Sequence, residues 1–380
     1  MRVKGLIMLM VFGLFLMSTL SFSAEVAIGT TIYPKVETPH PYSKATTDTL
    51  VWSHTFSKSG AGWLNVHFTD FQLNSTDYVV MYDMYGFEVE RITGKEMLNP
   101  AKSRFKVVSK EAGRIEFWGP MVDGDEVRLE LHRGSIKSTG WGFKIDQVGV
   151  GFGPLDLYEN DNLDREIKSI CGADNKQNIK CATTTQQTKG LAVGRMYFQS
   201  GSSWYVCTGF LVSSCSSHFL TNEHCITNQT GVTSLQVRFK YRNTTCTGTT
   251  VDSYVTYYGN TYIKDSATYD YCLLTLQGTP QSTFGYLQLL SRAPVLNESI
   301  YIIQHPGGRV QQIGSGTIST TSANGNKDLG YMVDTEGGSS GSPVFASDNK
   351  VVGLHHFGGC PNSAIKLSLI YSAISGYLCQ

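Results

Sequence analysis

A serine on a glycine-rich loop is the residue in this sequence best placed for chemistry. The run DTEGGSSGSPVF, residues 334–345, sets Ser340 among Gly337, Gly338 and Gly341. Glycines reach dihedrals that other residues resist, so the run reads as a tight loop. A serine held there can face a carbonyl carbon while backbone N–H groups point at the carbonyl oxygen. Serine- and glycine-rich runs are also ordinary turns, so the chemistry requires a base and an acid elsewhere in the chain. His224 is a candidate base, in TNEHC beside Cys225, which a disulfide to Cys207 in CTGFLV would pin. Asp270 opens the apolar run DYCLLTL. A carboxylate at the head of such a strand is partly buried and needs a partner, for which an imidazole N–H is suited. Asp252 and Asp265 open no apolar strand, and His305 in QHPGG reads as a turn or core residue. His355, His356 and Cys360 suggest a metal site but lack an evident fourth ligand, so neither metal nor cofactor is expected.

Positioning three such groups requires a large, rigid scaffold. The chain has 380 residues, enough for two domains, with 39 Gly and 20 Tyr, which suits sheet with many turns. Lys plus Arg equals Asp plus Glu at 31 each, which argues against nucleic acid or an anionic membrane as the main partner. Residues 1–24 read as a secretory signal peptide: Arg2 and Lys4 precede an apolar run that ends in Ser21-Phe22-Ser23-Ala24. The alternative is a membrane anchor, for which the run is short, and no later stretch is long and apolar enough to span. All nine cysteines lie between Cys171 and Cys379, which fits disulfides in an oxidising, secreted or periplasmic setting and a boundary ahead of Cys171. The odd count leaves at least one thiol over.

Residues 25–155 alternate with period two. Leu64, Val66 and Phe68 share one face; DYVVMYD, IEFW and FKID are further strands; Val127, Leu129 and Leu131 alternate with Arg128 and Glu130. Turns such as Asp123-Gly124 separate them, which indicates an antiparallel β-sandwich. Residues 156–170 are a polar linker with Arg165 and Lys168 as candidate processing sites, and residues 171–380 form the second domain. YVVMYDMYG and GWGFKIDQVGVGF resemble CUB-like jelly-roll modules. That resemblance implies a module that binds protein or glycan, or a folding pro-segment, and makes Asp70, Asp83 and Asp125 candidates for a calcium ion.

CTGFLV, TNEHC, DYCLLTL and GGSSGSPVF, in that order, resemble the chymotrypsin-fold serine endopeptidases. FKYRNTTC, IIQHPGG and VVGLHHFGG extend the likeness to the bacterial lysyl and glutamyl endopeptidases, over Cys171 to the C-terminus. The resemblance implies a double β-barrel, hydrolysis of protein or peptide substrates through an acyl-enzyme, and a His224, Asp270, Ser340 triad. It also implies an oxyanion hole from the N–H groups of Gly338 and Ser340, and disulfides Cys171–Cys360, Cys181–Cys246 and Cys207–Cys225. It gives Cys215, Cys272 and Cys379 no partner, and Cys272 reads as a buried free thiol.

For the pocket the resemblance names Asp334, Thr335, His355 and Gly358. Asp334, six residues before Ser340, is placed to floor a pocket that selects Lys or Arg, and this favours basic specificity. His355, with Lys366 near, matches the histidine that reads glutamate in the glutamyl endopeptidases, while the later aspartate of the lysyl endopeptidases has no counterpart after Cys360. Ser339 stands where trypsin-like zymogens carry the aspartate that receives the new N-terminus. The rival readings are an exported binding protein with an inactive peptidase domain, and an adhesin centred on the sandwich.

Overall fold

The computed structural model describes residues 26–42, 49–99, 103–134, 140–153 and 169–380. The expected signal peptide and most of the expected linker lie outside these residues. The first ten strands are β1 (Val26–Ile32), β2 (Val36–Glu37), β3 (Thr49–Ser57), β4 (Trp63–Gln72), β5 (Tyr78–Asp83), β6 (Glu88–Thr93), β7 (Val108–Ser109), β8 (Ile115–Asp123), β9 (Glu126–Arg133) and β10 (Gly142–Gly151). They form two layers: β1-β10-β4-β8-β7, with β2 also on β10, and β3-β9-β5-β6. The period-two runs become the facing sides of these layers. In β9, Val127, Leu129 and Leu131 are buried, and they pack with Phe68, Phe71, Phe117 and Phe143 in one core. This is the antiparallel sandwich that the alternation predicts.

Asp70, Asp83 and Asp125 do not converge as a calcium site would require: they form no metal-binding group among the described residues. Asp70 pairs with Lys144 at 3.1 Å. Asp83 closes its own turn by accepting the N–H groups of Tyr85 and Phe87.

The rest of the chain builds two closed six-stranded barrels. A short strand, β11 (Gln177–Asn178), comes first. The first barrel runs β12 (Val193–Ser200), β13 (Ser203–Leu211), β14 (His218–Thr221), β15 (Gln236–Phe239), β16 (Val255–Ser266) and β17 (Tyr271–Leu276). Its order is β12-β15-β16-β17-β14-β13, with β13 closing on β12. The second runs β18 (Ser299–Gln304), β19 (Gln312–Ser322), β20 (Asp328–Tyr331), β21 (Pro343–Ala346), β22 (Val351–Phe357) and β23 (Asn362–Lys366). Its order is β19-β18-β21-β22-β23-β20, with β20 closing on β19 and β11 flanking β19. A helix, Leu367–Ile374, then returns to the first barrel's core through Leu367, Ile370 and Ile374.

The sandwich and the first barrel share a sheet. One edge of β1 pairs with β10 and the other with β13, in register Val26↔Val206, Ala27↔Tyr205, Gly29↔Trp204 and Thr30↔Ser203. Trp63 and Trp118 from the sandwich meet Trp204 from the barrel edge-on, at centroid separations of 5.5 and 4.9 Å. Small residues make that approach possible. A Cβ on Gly151 would stand 2.4 Å from Trp63 Nε1, and one on Gly149 would stand 2.7 Å from Trp204 Nε1.

Candidate active site

Two strands of the first barrel deliver the candidate base and acid. β14 ends at Thr221, and the turn after it carries His224 and Cys225. Cys225 is bonded to Cys207 on β13, which fixes the turn from behind. Asp270 immediately precedes β17 at a φ of 40°, in the left-handed region that a short polar side chain tolerates better than most. Its carbonyl accepts Asn222 Nδ2 at 2.8 Å, and Asp270 is 7 % exposed. One carboxylate oxygen, Oδ1, accepts the His224 backbone N–H at 3.0 Å; the other, Oδ2, faces His224 Nδ1 at 2.8 Å. His224 therefore carries its proton on Nδ1, and Nε2 is left as the basic nitrogen. Nε2 has no hydrogen-bond partner among the described residues.

A second imidazole reaches the same carboxylate. His356 on β22 faces Asp270 Oδ2 through Nδ1 at 3.1 Å and Asp328 Oδ2 through Nε2 at 2.8 Å. His356 is 2 % exposed and Asp328 fully buried. An imidazole that donates to carboxylates from both nitrogens is an imidazolium. Burial pushes the His356 pKa down, but its bonds to Asp270 and Asp328 outweigh burial and raise it. Burial likewise pushes Asp270 up, and the two imidazoles outweigh that and hold it well below the usual carboxylate range. Both imidazoles thus favour the ionised form of Asp270.

Ser340 lies 4 % exposed on the loop between β20 and β21. Gly338 and Gly341 there adopt φ of 93° and 86°. Neither position has space for a side chain: a Cβ on Gly341 would meet Thr208 O at 2.0 Å, and one on Gly338 would meet Gly308 N at 3.0 Å. Thr208, next to Cys207, clamps the loop. Its N–H donates to Ser340 O at 2.8 Å and its hydroxyl to Gly338 O at 2.9 Å. Ser339, at the place of the zymogen aspartate, donates to Gln304 Oε1 at 2.6 Å and accepts the Glu336 N–H at 3.2 Å. Thr208 and the Cys207–Cys225 bond thus tie the serine loop to the histidine turn.

The pocket candidates have the following partners. Asp334 is fully buried, with Oδ1 accepting the Cys171 N–H at 2.6 Å and Oδ2 the Asn175 N–H at 2.7 Å. Two charge-assisted backbone bonds satisfy a carboxylate that would otherwise be buried at high cost. Thr335 donates to Asn362 Oδ1 at 3.0 Å, and Gly358 is covered by the Ser169 side chain. His355 bonds Tyr331 Oη through Nδ1 at 2.6 Å; burial, reinforced by the charge of His356, pushes its pKa down to about 3. Lys366 donates to Asn326 O and Oδ1.

Four disulfides are present: Cys171–Cys360, Cys181–Cys246, Cys207–Cys225 and Cys215–Cys379. The last was invisible to sequence reasoning. Cys272 is a buried free thiol. The grouping with metal-ligand spacing, Cys207, His224 and Cys225, is already consumed by a disulfide and by Asp270. His355, His356 and Cys360 are likewise committed, to Tyr331, to two carboxylates and to Cys171. The residues that sequence reasoning missed are Thr208 and Asp328, and His356 as a partner of Asp270. The His355-His356 doublet was a signal, and it was read as possible metal ligation.

Buried His305 and His355, both pushed down to about 3 by burial, predict acid sensitivity. Unfolding returns each to the ordinary value near 6.5, so between these limits the unfolded chain binds protons that the native chain refuses. Stability then falls as pH falls, by about 1.4 kcal/mol per pH unit for each imidazole. Asp270, with its lowered pKa, adds stability that is lost in the same direction. His356, with its raised pKa, opposes them only as pH rises through its folded value. The melting temperature is expected to drop steadily from neutral to mildly acidic pH; a flat profile by calorimetry would contradict this.

Residues 172–367 match the family model for the lysyl endopeptidase C-terminal domain. The chain is 30% identical over 342 residues to secreted RxLR effector protein 73 of Plasmopara viticola, covering 83% of this chain and 79% of that protein. It is 27% identical over 299 residues to the lysyl endopeptidase of Pseudomonas aeruginosa, covering 69% and 63%. Among solved structures, a Glu endopeptidase in complex with MPD superposes with a TM-score of 0.43 at 21% identity, over 55% of this chain and 98% of that one.

Proposed function

Since the chain belongs to the lysyl endopeptidase family, we propose that it is an exported serine endopeptidase that works through an acyl-enzyme formed on Ser340. The observation that carries this reading is the linked set of groups around Asp270. His224 is held by Asp270 with Nε2 left as a base, and Thr208 and the Cys207–Cys225 bond join its turn to the Ser340 loop.

In this reading His224 Nε2 takes the Ser340 hydroxyl proton as Oγ attacks the scissile carbonyl carbon. The oxyanion is received by the Gly338 and Ser340 N–H groups, whose backbone the Thr208 clamp fixes. The tetrahedral intermediate collapses as the His224 imidazolium passes the proton to the leaving amine. Water, deprotonated by the same nitrogen, then releases the acyl group and regenerates Ser340. Asp270 stabilises the transient imidazolium of His224 and remains a carboxylate throughout.

Family membership supports protein or peptide substrates. Residue preference is a separate matter. The expected basic preference rested on Asp334, whose two oxygens are occupied by backbone N–H groups. His355 is neutral at working pH and bonded to Tyr331, and Lys366 is bonded to Asn326. We therefore assign the primary pocket no dedicated charge from these three residues. Export is supported by four disulfides. Among the described residues no helix is long and apolar enough to cross a membrane.

A fluorophosphonate probe and a mixed peptide library test this together. One adduct per chain, on Ser340, is expected, with peptide cleavage lost in step with labelling and cut sites that include neutral residues. Absence of both adduct and cleavage would overturn the peptidase reading in favour of a binding protein. Strict cutting after Lys or Arg would keep the enzyme and overturn the uncharged pocket.

A further inference from the structure

We propose that the N-terminal sandwich is a permanent, activity-supporting half of the enzyme. It stays bound when the chain is cut between the two parts, and it holds the nucleophile loop in register through β13. The activity arm of this inference rests on the peptidase reading; the binding arm does not.

The seam reaches four of the first barrel's six strands. On β13, Trp204 Nε1 donates to Thr31 Oγ1 at 3.1 Å, and the same oxygen accepts Gln199 Nε2 of β12 at 2.9 Å. On β15, the Gln236 side chain acts as an extra backbone unit: Oε1 accepts the Met121 N–H at 3.1 Å and Nε2 donates to Gly119 O at 3.0 Å. Arg238, 3 % exposed, donates to Met121 O at 3.3 Å and pairs with Asp123. On β16, Tyr258 packs its ring on Phe105 at 5.0 Å and belongs to the sandwich's own core. Separation would expose Trp63, Trp118, Trp204, Met121 and Tyr197 to water and strip the Gln236 amide and the Arg238 guanidinium of their partners. A mixture of continuous sheet, buried indoles and buried polar side chains bonded across the seam characterises obligate interfaces rather than tethered modules.

The seam also leads to the catalytic loop. Val206, paired with Val26 across it, belongs to the indole cluster. Its side chain supports two loops of the second barrel: Cβ atoms built on Gly308 and Gly338 would lie 3.1 and 3.2 Å from its methyl groups. The next two residues are Cys207, which pins the histidine turn, and Thr208, which binds Ser340 and Gly338. A β13 edge released from β1 therefore loosens both the base and the oxyanion loop at once.

The test introduces a recognition sequence for a site-specific protease between residues 155 and 165 of the full chain. After complete cutting, the two fragments are expected to co-elute as one particle, melt in a single transition and keep the kcat/KM of the uncut protein. The peptidase fragment recovered alone after denaturation and refolding is expected to lose about 100-fold in kcat, with KM little changed, because the reacting groups are misplaced rather than removed. A Trp63→Ser variant, milder than deleting the sandwich, is expected to let the cut fragments separate while the uncut chain stays folded. Fragments that part without denaturant in the unsubstituted protein, or a lone peptidase fragment with full kcat, would overturn the proposal. If no form cleaves peptides, the function reading has failed, and co-elution still decides whether the sandwich is permanent.

Discussion

Ser340→Ala is expected to lower kcat by about 10⁶-fold and to leave the fold and substrate affinity intact. The size of the effect follows from removing the only atom that forms the covalent bond, after which base and oxyanion donors have nothing to act on. Retention of structure follows from how the loop is held. Thr208 N–H bonds the Ser340 carbonyl, the Thr208 hydroxyl bonds the Gly338 carbonyl, and Gly341 N–H bonds the His355 carbonyl at 2.9 Å. Ser339 and Gln304 secure the other side. None of these contacts uses the Ser340 hydroxyl. The variant's melting temperature should match the parent's, and peptide binding measured by fluorescence anisotropy should persist while turnover vanishes. Turnover at the parental rate would place the nucleophile elsewhere.

Asp270→Asn is expected to cost about 10⁴-fold in kcat. Here the substitution disturbs three donors. The carboxylate accepts the His224 backbone N–H on one oxygen and both His224 Nδ1 and His356 Nδ1 on the other. An asparagine offers one acceptor oxygen and an NH₂ group, so one orientation confronts the two imidazoles with a donor. His224 is then driven to keep its proton on Nε2, the nitrogen that must be bare. The opposite orientation spares the imidazoles but strands the His224 N–H and halves the charge that flanks His356. Asp328, fully buried, then holds the His356 imidazolium alone. The melting curve separates a tautomer defect from simple unfolding: a variant that keeps the parent's transition while its kcat collapses has lost the orientation of the His224 proton and not the fold. A variant as active as the parent would remove Asp270 from the mechanism.

The sequence made three members of the site visible because each sits in a locally unusual setting. A histidine beside a cysteine, an aspartate heading an apolar strand and a serine among glycines all stand out without knowledge of partners. His356 and Asp328 do not. Their meeting depends on the lateral order β22-β23-β20, and nothing near Asp328 in the chain marks it. The partners of Asp334 were hidden for a related reason. Its offset from Ser340 fits a pocket floor, but its partners are backbone N–H groups more than 150 residues earlier, at Cys171 and Asn175. The sandwich was legible from alternation, which reports which face is buried. Alternation is silent on which strand lies alongside, so the pairing of β1 with β13 was not.

The disulfide pattern lashes the two barrels crosswise. Cys171 stands ahead of the first barrel and is bonded to Cys360 of the second; Cys379 follows the second barrel and is bonded to Cys215 of the first. Each barrel is thus fastened to the chain end that belongs to the other, and Gln380 adds bonds to Val212 O and Leu287 O. Since Ser340 comes from one barrel and His224 and Asp270 from the other, the two crosswise bonds also hold the candidate catalytic groups together. With these cysteines reduced, the two halves of the candidate site would be joined by chain connection and non-covalent packing alone, so full rigidity is expected only where cysteines oxidise.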